Sequence, residues 1–307
     1  MERTLSVYFN VDRTYLAVLA YHSDGATLEL VDSTENAIDP GYPEKESTKK
    51  GIEELNEIIS NLPGDIDRLS VTLPAESVLV TQFPGKSSME PDKIRKLANL
   101  EVRQNFPTFN FEDFYINVIP LNNENGNMML GVIIANEYIR TCKNILSGLE
   151  MPINKIEISQ LNAHSAFLYN YPEKHDATVA LLGIEEQFID ISVIRENQPA
   201  YYNLLSLSDP GGISELLENE FNKIIPDVVD SIQGAYFFGT ALDKDILLAS
   251  WETCMMLGME AVRLNAFRMM STDLDKRTRE YCSRTLHIFP PCIGGALPTY
   301  HKKVKIY

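Results

Sequence analysis

The chain runs twice through one local order, and that duplication limits the folds open to it. Leu5 to Phe9, Tyr15 to Tyr21 and Thr27 to Ser33 are β-rich runs joined by short polar turns, the second of them Ser23-Asp24-Gly25. An amphipathic helix follows from Thr48 to Leu62, with Ile52, Leu55, Ile58, Ile59 and Leu62 on one face, and then a strand from Asp67 to Leu73. The order returns later: strands at Thr178 to Leu182, Phe188 to Arg195 and Pro199 to Leu205, with Glu196-Asn197 as a turn. A helix from Ile213 to Ile224 and a strand from Ser231 to Phe238 complete the second copy. A helix from Lys244 to Leu257 and a short strand from Glu260 to Leu264 extend it. Two β-meanders, each followed by a helix that can cover its sheet, predict an α/β chain built from two related halves.

Between the copies the pattern changes. A strand at Ser77 to Gln82 leads to a helix opened by Glu90-Pro91-Asp92 and running to Asn105, with Pro91 suited to the first turn. Phe111 to Leu121 and Met128 to Ala135 read as paired strands around the polar turn Asn122 to Asn127. A helix from Glu137 to Leu149 and a strand from Ile153 to Ile158 follow. This βαββαβ run reads as an insert. A helix from Gln160 to Tyr169 and a polar hinge from Tyr171 to Asp176 then lead into the second meander. The expected division is residues 1–72 with 159–176 as the first half, 73–158 as the insert, and 177–307 as the second half with a reduced outer subdomain.

Composition narrows the function classes. The chain has 307 residues, of which 44% are hydrophobic, enough for a sizeable core. The formal net charge of −16 argues against nucleic acid or an anionic lipid surface as a direct partner. The basic run Lys302-Lys303-Val304-Lys305 is too short to anchor the chain electrostatically. Cys142, Cys254, Cys282 and Cys292 have no CxxC spacing and read as reduced, buried thiols of a cytoplasmic protein. No histidine pair has metal-ligand spacing, and His164, on an apolar helical stretch, reads as a core residue. No apolar run approaches the ~20 residues needed to cross a bilayer. No metal and no membrane span are expected.

The insert carries a resemblance. Leu73-Pro74-Ala75-Glu76-Ser77-Val78-Leu79-Val80 leads to Phe83-Pro84. The helix ends in Phe106-Pro107, and an aromatic strand around Phe114-Tyr115 follows. This run resembles the insert subdomain of the PilM family of type IV pilus assembly proteins, relatives of the cell-division protein FtsA. The similarity spreads over residues 1 to about 297 and is strongest between 70 and 160. It implies an actin-like, ribonuclease H-like fold of duplicated β-meander halves with a βαββαβ insert of the PilM/FtsA type.

The resemblance also says where nucleotide loops would lie, and there the chain departs from the family pattern. The first phosphate loop resembles Asp-Ile-Gly-Thr; the matching positions are Asn10, Val11, Asp12 and Arg13. Asn10 removes a charge that magnesium needs, and Asp12 puts a carboxylate where glycine would let backbone amides approach phosphate. Arg13 restores positive charge without the geometry. At the second loop Gly183, Ile184 and Glu185 match Asp-Ile-Gly, with Ile189 at the threonine position. The adenosine loop, a glycine run in the family, is Gly239-Thr240-Ala241 here, and Gly211-Gly212 is the glycine pair retained. Asp12 and Glu185 would both face a triphosphate. A like-charge contact at ~4 Å costs on the order of 4 kcal/mol at an effective dielectric of 20, so two offset most of a micromolar binding energy.

The expected role is therefore a non-catalytic scaffold, a pseudo-ATPase without a cofactor. The resemblance implies that it receives the short cytoplasmic tail of an inner-membrane, PilN-like assembly protein and contacts other pilus or secretion components. That would place it in the cytoplasm, held at the inner membrane through its partner. Arg95, Asn99 and Arg103 are the candidate partner-binding residues on the insert. The alternatives are a working Mg-ATPase with divergent loops, a cytoplasmic scaffold of a type II secretion system, and an FtsA-like filament former.

Overall fold

A computed structural model describes residues 2–306 apart from 24, 63, 109, 124–125, 150–151, 208–209 and 305. The expected turns around Asp24 and around 124–125, and the last lysine of the basic tail, thus lie partly outside the described residues. The chain opens with β1 (Glu2–Phe9), β2 (Thr14–His22), β3 (Gly25–Ser33), α1 (Glu46–Ser60) and β4 (Arg68–Leu73). There follow β5 (Leu79–Pro84), α2 (Pro91–Asn105), β6 (Phe114–Pro120), β7 (Met128–Ala135), α3 (Asn136–Ile145) and β8 (Ile153–Ile158), in the βαββαβ order read from the sequence. Next come α4 (Ser159–Asn170), β9 (Val179–Ile184), β10 (Phe188–Arg195), β11 (Gln198–Ser206), α5 (Ile213–Asp227), β12 (Gly234–Phe238), α6 (Lys244–Met256) and β13 (Glu260–Arg263). The last elements are β14 (Ser271–Thr272), α7 (Lys276–Thr285) and α8 (Pro290–Ala296).

These elements form two compact units, 1–77 with 137–172 and 265–299, and 78–136 with 173–264 and 300–307. The first holds a sheet ordered β14-β3-β2-β1-β4-β8; the second holds a sheet ordered β11-β10-β9-β12-β13. The duplication is explicit in the order β3-β2-β1-β4-β8 against β11-β10-β9-β12-β13. In each, an antiparallel meander is extended by two parallel strands, with β4 beside β1 and β12 beside β9. The fold is α/β, with helices covering the sheets. Glu196 and Asn197, the predicted turn of the second meander, both have positive φ (52° and 62°), which suits a tight hairpin.

The structure differs from the sequence reading in the place of β8 and in the C-terminal segment, where 265–299, expected in the second half, belong to the first unit. The strand expected to close the insert, β8, pairs in parallel with β4, Val71 beside Ile156, in the six-stranded sheet. The insert's own sheet is three-stranded, β5-β7-β6, and α2 packs Ile94, Ala98 and Val102 into a cluster with Phe83, Phe111 and Phe114. Strand propensity does not say which sheet a strand joins; the open edge of β4 decides it. The second difference is α7 and α8, which the reading left unassigned. Pro290-Pro291 and Gly294-Gly295 look like loop punctuation, yet the prolines occupy the first helical turn, Gly294 faces the backbone of α4 and Gly295 faces the hydroxyls of Ser6 and Thr72.

The first unit is organised around α8. Every residue from Pro290 to Ala296 is buried, and so are eleven of the twelve residues of α4. β1 and β2 are buried on both faces, which explains their near-continuous apolar sequence. Tyr8, Tyr15, Ala17 and Leu19 meet Phe289, Cys292 and Ile293 in one cluster. A Cβ at Gly294 would fall on the carbonyl of Asn162 in α4, and one at Gly295 would sit 2.8 Å from Thr72 Oγ1. Polar bonds fix the same contact. Asn162 Nδ2 donates to Thr72 Oγ1 at 2.7 Å, and Lys155 Nζ donates to the carbonyls of Gly294 and Leu297 at 3.0 and 3.3 Å. That ammonium also complements the carboxyl end of α8. Gly294→Ala is expected to destabilise the protein by about 3 kcal/mol, because two packed backbones have no room to separate. Urea unfolding of the variant against the parent measures this; a loss under ~1 kcal/mol would contradict the packing described.

Candidate functional site

The first loop joins β1 to β2. Asn10 is buried, and its N–H donates to the Arg13 carbonyl at 3.1 Å, which closes the hairpin. Asp12 is committed to that hairpin: Oδ1 accepts from the Arg13 N–H at 2.7 Å and Oδ2 accepts from the Tyr15 hydroxyl at 2.6 Å. The backbone amide of Arg13 thus already serves a carboxylate of the protein itself. The Arg13 side chain is exposed, and its charge acts on Glu54 and on the phenol of Tyr281.

The second and third loops belong to the other unit, and the structure brings them together. β9 ends at Ile184, and the turn is closed by Glu185 N–H donating to the Phe188 carbonyl at 2.9 Å. The buried carboxylate of Glu185 accepts from the Thr240 hydroxyl and, at 3.4 Å, from the Thr240 N–H. Gly239, with φ +117°, is held to glycine by packing, since a Cβ there would fall on the Ile184 carbonyl. Ala241 N–H donates to the same carbonyl at 3.2 Å. Over Gly183 lies the ring of Phe238, whose Cζ is 2.8 Å from where a Cβ would be. The space that the missing side chain leaves is filled by this ring. Glycine survives at 183 and 239 for reasons internal to the fold. Gly211 and Gly212 form a short 3-10 turn that leads into α5, and a Cβ at Gly212 would meet nothing within 4 Å.

The insert gathers the candidate partner residues. Arg95, Asn99 and Arg103 stand on successive turns of α2 and line one recess of about 420 Å³, together with Lys96, Asn110, Phe111 and Glu112. Arg95 lies 3.7 Å from Glu112 and over the ring of Phe111. Lys96 and Arg103 make no ion pair among the described residues. The sequence reading missed Lys96, although its place one turn before Asn99 on the same helix face was readable. It also missed Thr240 as the partner of Glu185 and Phe238 as the cover of Gly183, contacts that no local spacing announces.

All four cysteines are free and buried, and burial pushes the thiols of Cys142, Cys254 and Cys292 up to about 12, so they are protonated at neutral pH. His164 is buried within α4. Among the described residues no cluster of His, Cys, Asp and Glu could hold a metal, and no helix is long and apolar enough to cross a membrane.

No family model matches the sequence, and no curated protein matches it. Solved structures do match in fold. The chain is similar to the PilM–PilN type IV pilus biogenesis complex, with a TM-score of 0.70 and 13% identity over 96% of this chain and 99% of that one. It is also similar to a Bacteroides thetaiotaomicron protein with an actin-like ATPase fold and unknown function, with a TM-score of 0.53 and 11% identity over 85% and 90%. The chain thus has the actin-like fold, in the PilM-like form that its insert suggested.

One carboxylate beside the first loop should be visible in acid. Glu54 Oε2 accepts from the N–H groups of Glu35 and Asn36 at 2.7 and 3.1 Å, which ties α1 to the segment after β3. Desolvation pushes this carboxyl up, but the bonds from Asn36 and Glu35, with Arg13 nearby, outweigh it and leave it below its ordinary 4.5. A lowered folded value means stability present above 4.5 and lost as pH falls through that lowered value. The melting temperature of Glu54→Gln should therefore fall less steeply than that of the parent below pH 4.5. Equal slopes would mean that the carboxylate contributes nothing.

Proposed function

We propose that the chain is a non-catalytic actin-like scaffold that binds the cytoplasmic tail of an inner-membrane assembly protein of the PilN kind. On this reading it works in a type IV pilus-like or related secretion machine, at the inner membrane through that partner. The observation that carries the reading is the state of the nucleotide loops. Asp12 and Glu185 each accept hydrogen bonds from loop groups that an anion would otherwise claim, so a phosphate would have to displace a carboxylate in each half. Exchanging one anion for another gains little, and any carboxylate left nearby repels the newcomer.

What remains for such a chain is binding. Recognition of an extended tail needs a recess or a strand edge and no reacting group. The insert offers both: the recess on α2, and β5, which among the described residues pairs with β7 alone and lies at the edge of its sheet. A partly apolar tail suits this surface, because buried area sets residence while Arg95, Lys96 and Arg103 in the recess favour carbonyl or carboxylate acceptors on the tail.

The test is fluorescence anisotropy with a labelled N-terminal tail peptide of a PilN-like protein. Saturable binding is expected, weakened about tenfold or more by Arg95→Glu with Arg103→Glu. Both positions lie on the solvent side of α2, so folding is not at stake. No binding to the parent chain would overturn the scaffold reading. Binding indifferent to the double substitution would move the docking surface off α2.

A further inference from the structure

The outward face of α6 carries a stripe that the proposed function does not use. Leu248, Trp251, Met255 and Met256 are 50%, 43%, 51% and 78% exposed, at the i, i+3, i+7 and i+8 spacing of one helix face. The inward face buries Ile246, Ser250, Thr253 and Cys254 against the second unit's core. A helix apolar on both faces belongs inside a protein, and α6 lies on the surface. Exposed large apolar side chains at contiguous helical positions mark an interaction site.

The charges on the same face say what covers it. Lys244 and Glu252 lie four residues before and after Leu248, and neither makes an ion pair among the described residues. Asp245 and Trp251 lie three residues before and after it. The pattern is its own complement when reversed. An antiparallel copy of α6 with Leu248 on the two-fold axis would set Lys244 beside Glu252 of the second copy, and Glu252 beside its Lys244. The same register sets the indole N–H of Trp251 beside the Asp245 carboxylate, again twice. A two-fold interface requires this reciprocity, in which residue i meets j and j meets i.

We propose that α6 is a homodimer interface, in which two copies of this chain pack α6 against α6 antiparallel about Leu248. Leu248 and Trp251 meet at the centre while Met255 and Met256 reach past Lys244 of the second copy, so each copy buries on the order of 400 Å² at most, about half of what each side of a standard interface buries. The dimer is therefore weak, with a Kd in the micromolar range. The charge of −16 opposes association, but at physiological salt repulsion beyond ~8 Å is screened while the facing pairs at the seam are not. The proposal does not rest on the binding of any tail peptide.

Trp251 is the single tryptophan of the chain, so its fluorescence reports this surface alone. Sedimentation velocity from about 1 to about 100 μM, a range spanning a micromolar Kd, is expected to show a monomer giving way to a dimer. The Trp251 emission should shift to the blue over the same range as the indole leaves water. Leu248→Lys, an exposed position at which folding is safe, should leave only monomer. Lys244→Glu or Glu252→Lys alone should weaken the dimer about tenfold, and the two together should restore it, because the pair is only exchanged. A monomer throughout the range overturns the proposal. So does a dimer in which Trp251 emission is constant, or one in which the double reversal stays as weak as either single change.

Discussion

The first unit depends on how closely α8 can lie on α4 and on the strands beneath it. A seven-residue helix has little propensity of its own, and this one begins with two prolines and has two glycines just before its last residue. Burial holds it in place. Gly294 lets the backbones of α8 and α4 touch, Gly295 lets the helix settle onto Ser6 and Thr72, and Lys155 secures its carboxyl end. The strands that carry the first loop form the floor of this contact, so the Asn10 to Arg13 hairpin is set on a rigid support. A residue larger than glycine at 294 or 295 would lift the helix, and Phe289 and Cys292 would leave the cluster they share with Tyr8 and Tyr15.

In each half the same economy governs the loops. A tight turn in a nucleotide-binding fold leaves backbone N–H groups pointing outward, and those groups need an acceptor. In this chain Asp12 and Glu185 supply it from within. The first holds the hairpin it belongs to; the second ties the end of β9 to the start of the segment leading into α6. Phe238 then closes the space over Gly183. Carboxylates that look like defects against an ATPase motif act as structural caps, which gives the chain a reason to keep them. The exposed side chains of α2 and α6 are the surfaces on which the proposed partners would dock.

Much of this was legible in the sequence, and the exceptions have physical reasons. The meanders could be read because alternating and continuous β-rich runs ended at polar turns such as 10–13 and Glu196-Asn197. The helix face bearing Arg95, Asn99 and Arg103 followed from the helical period alone. The membership of β8 in the six-stranded sheet could not be read, because pairing with β4 spans some eighty residues of chain and leaves no local mark. α8 stayed hidden because proline and glycine carry loop signals unless tertiary packing overrides them. Asp12 and Glu185 were conspicuous as wrong charges for nucleotide, while the bond from Thr240, 55 residues from Glu185, needed the fold. The stripe on α6 was spelled out at helical spacing, but apolar residues on every side of a helix ordinarily mean burial.

The central claim is that the protein's own carboxylates hold the loops that a nucleotide would need. Isothermal titration with Mg-ATP at millimolar concentration tests it most directly. The account predicts no heat beyond dilution for the parent chain, since binding would have to displace Asp12 and Glu185 against like-charge repulsion. A saturable one-to-one isotherm with a Kd in the micromolar range, worth about 8 kcal/mol, would contradict it.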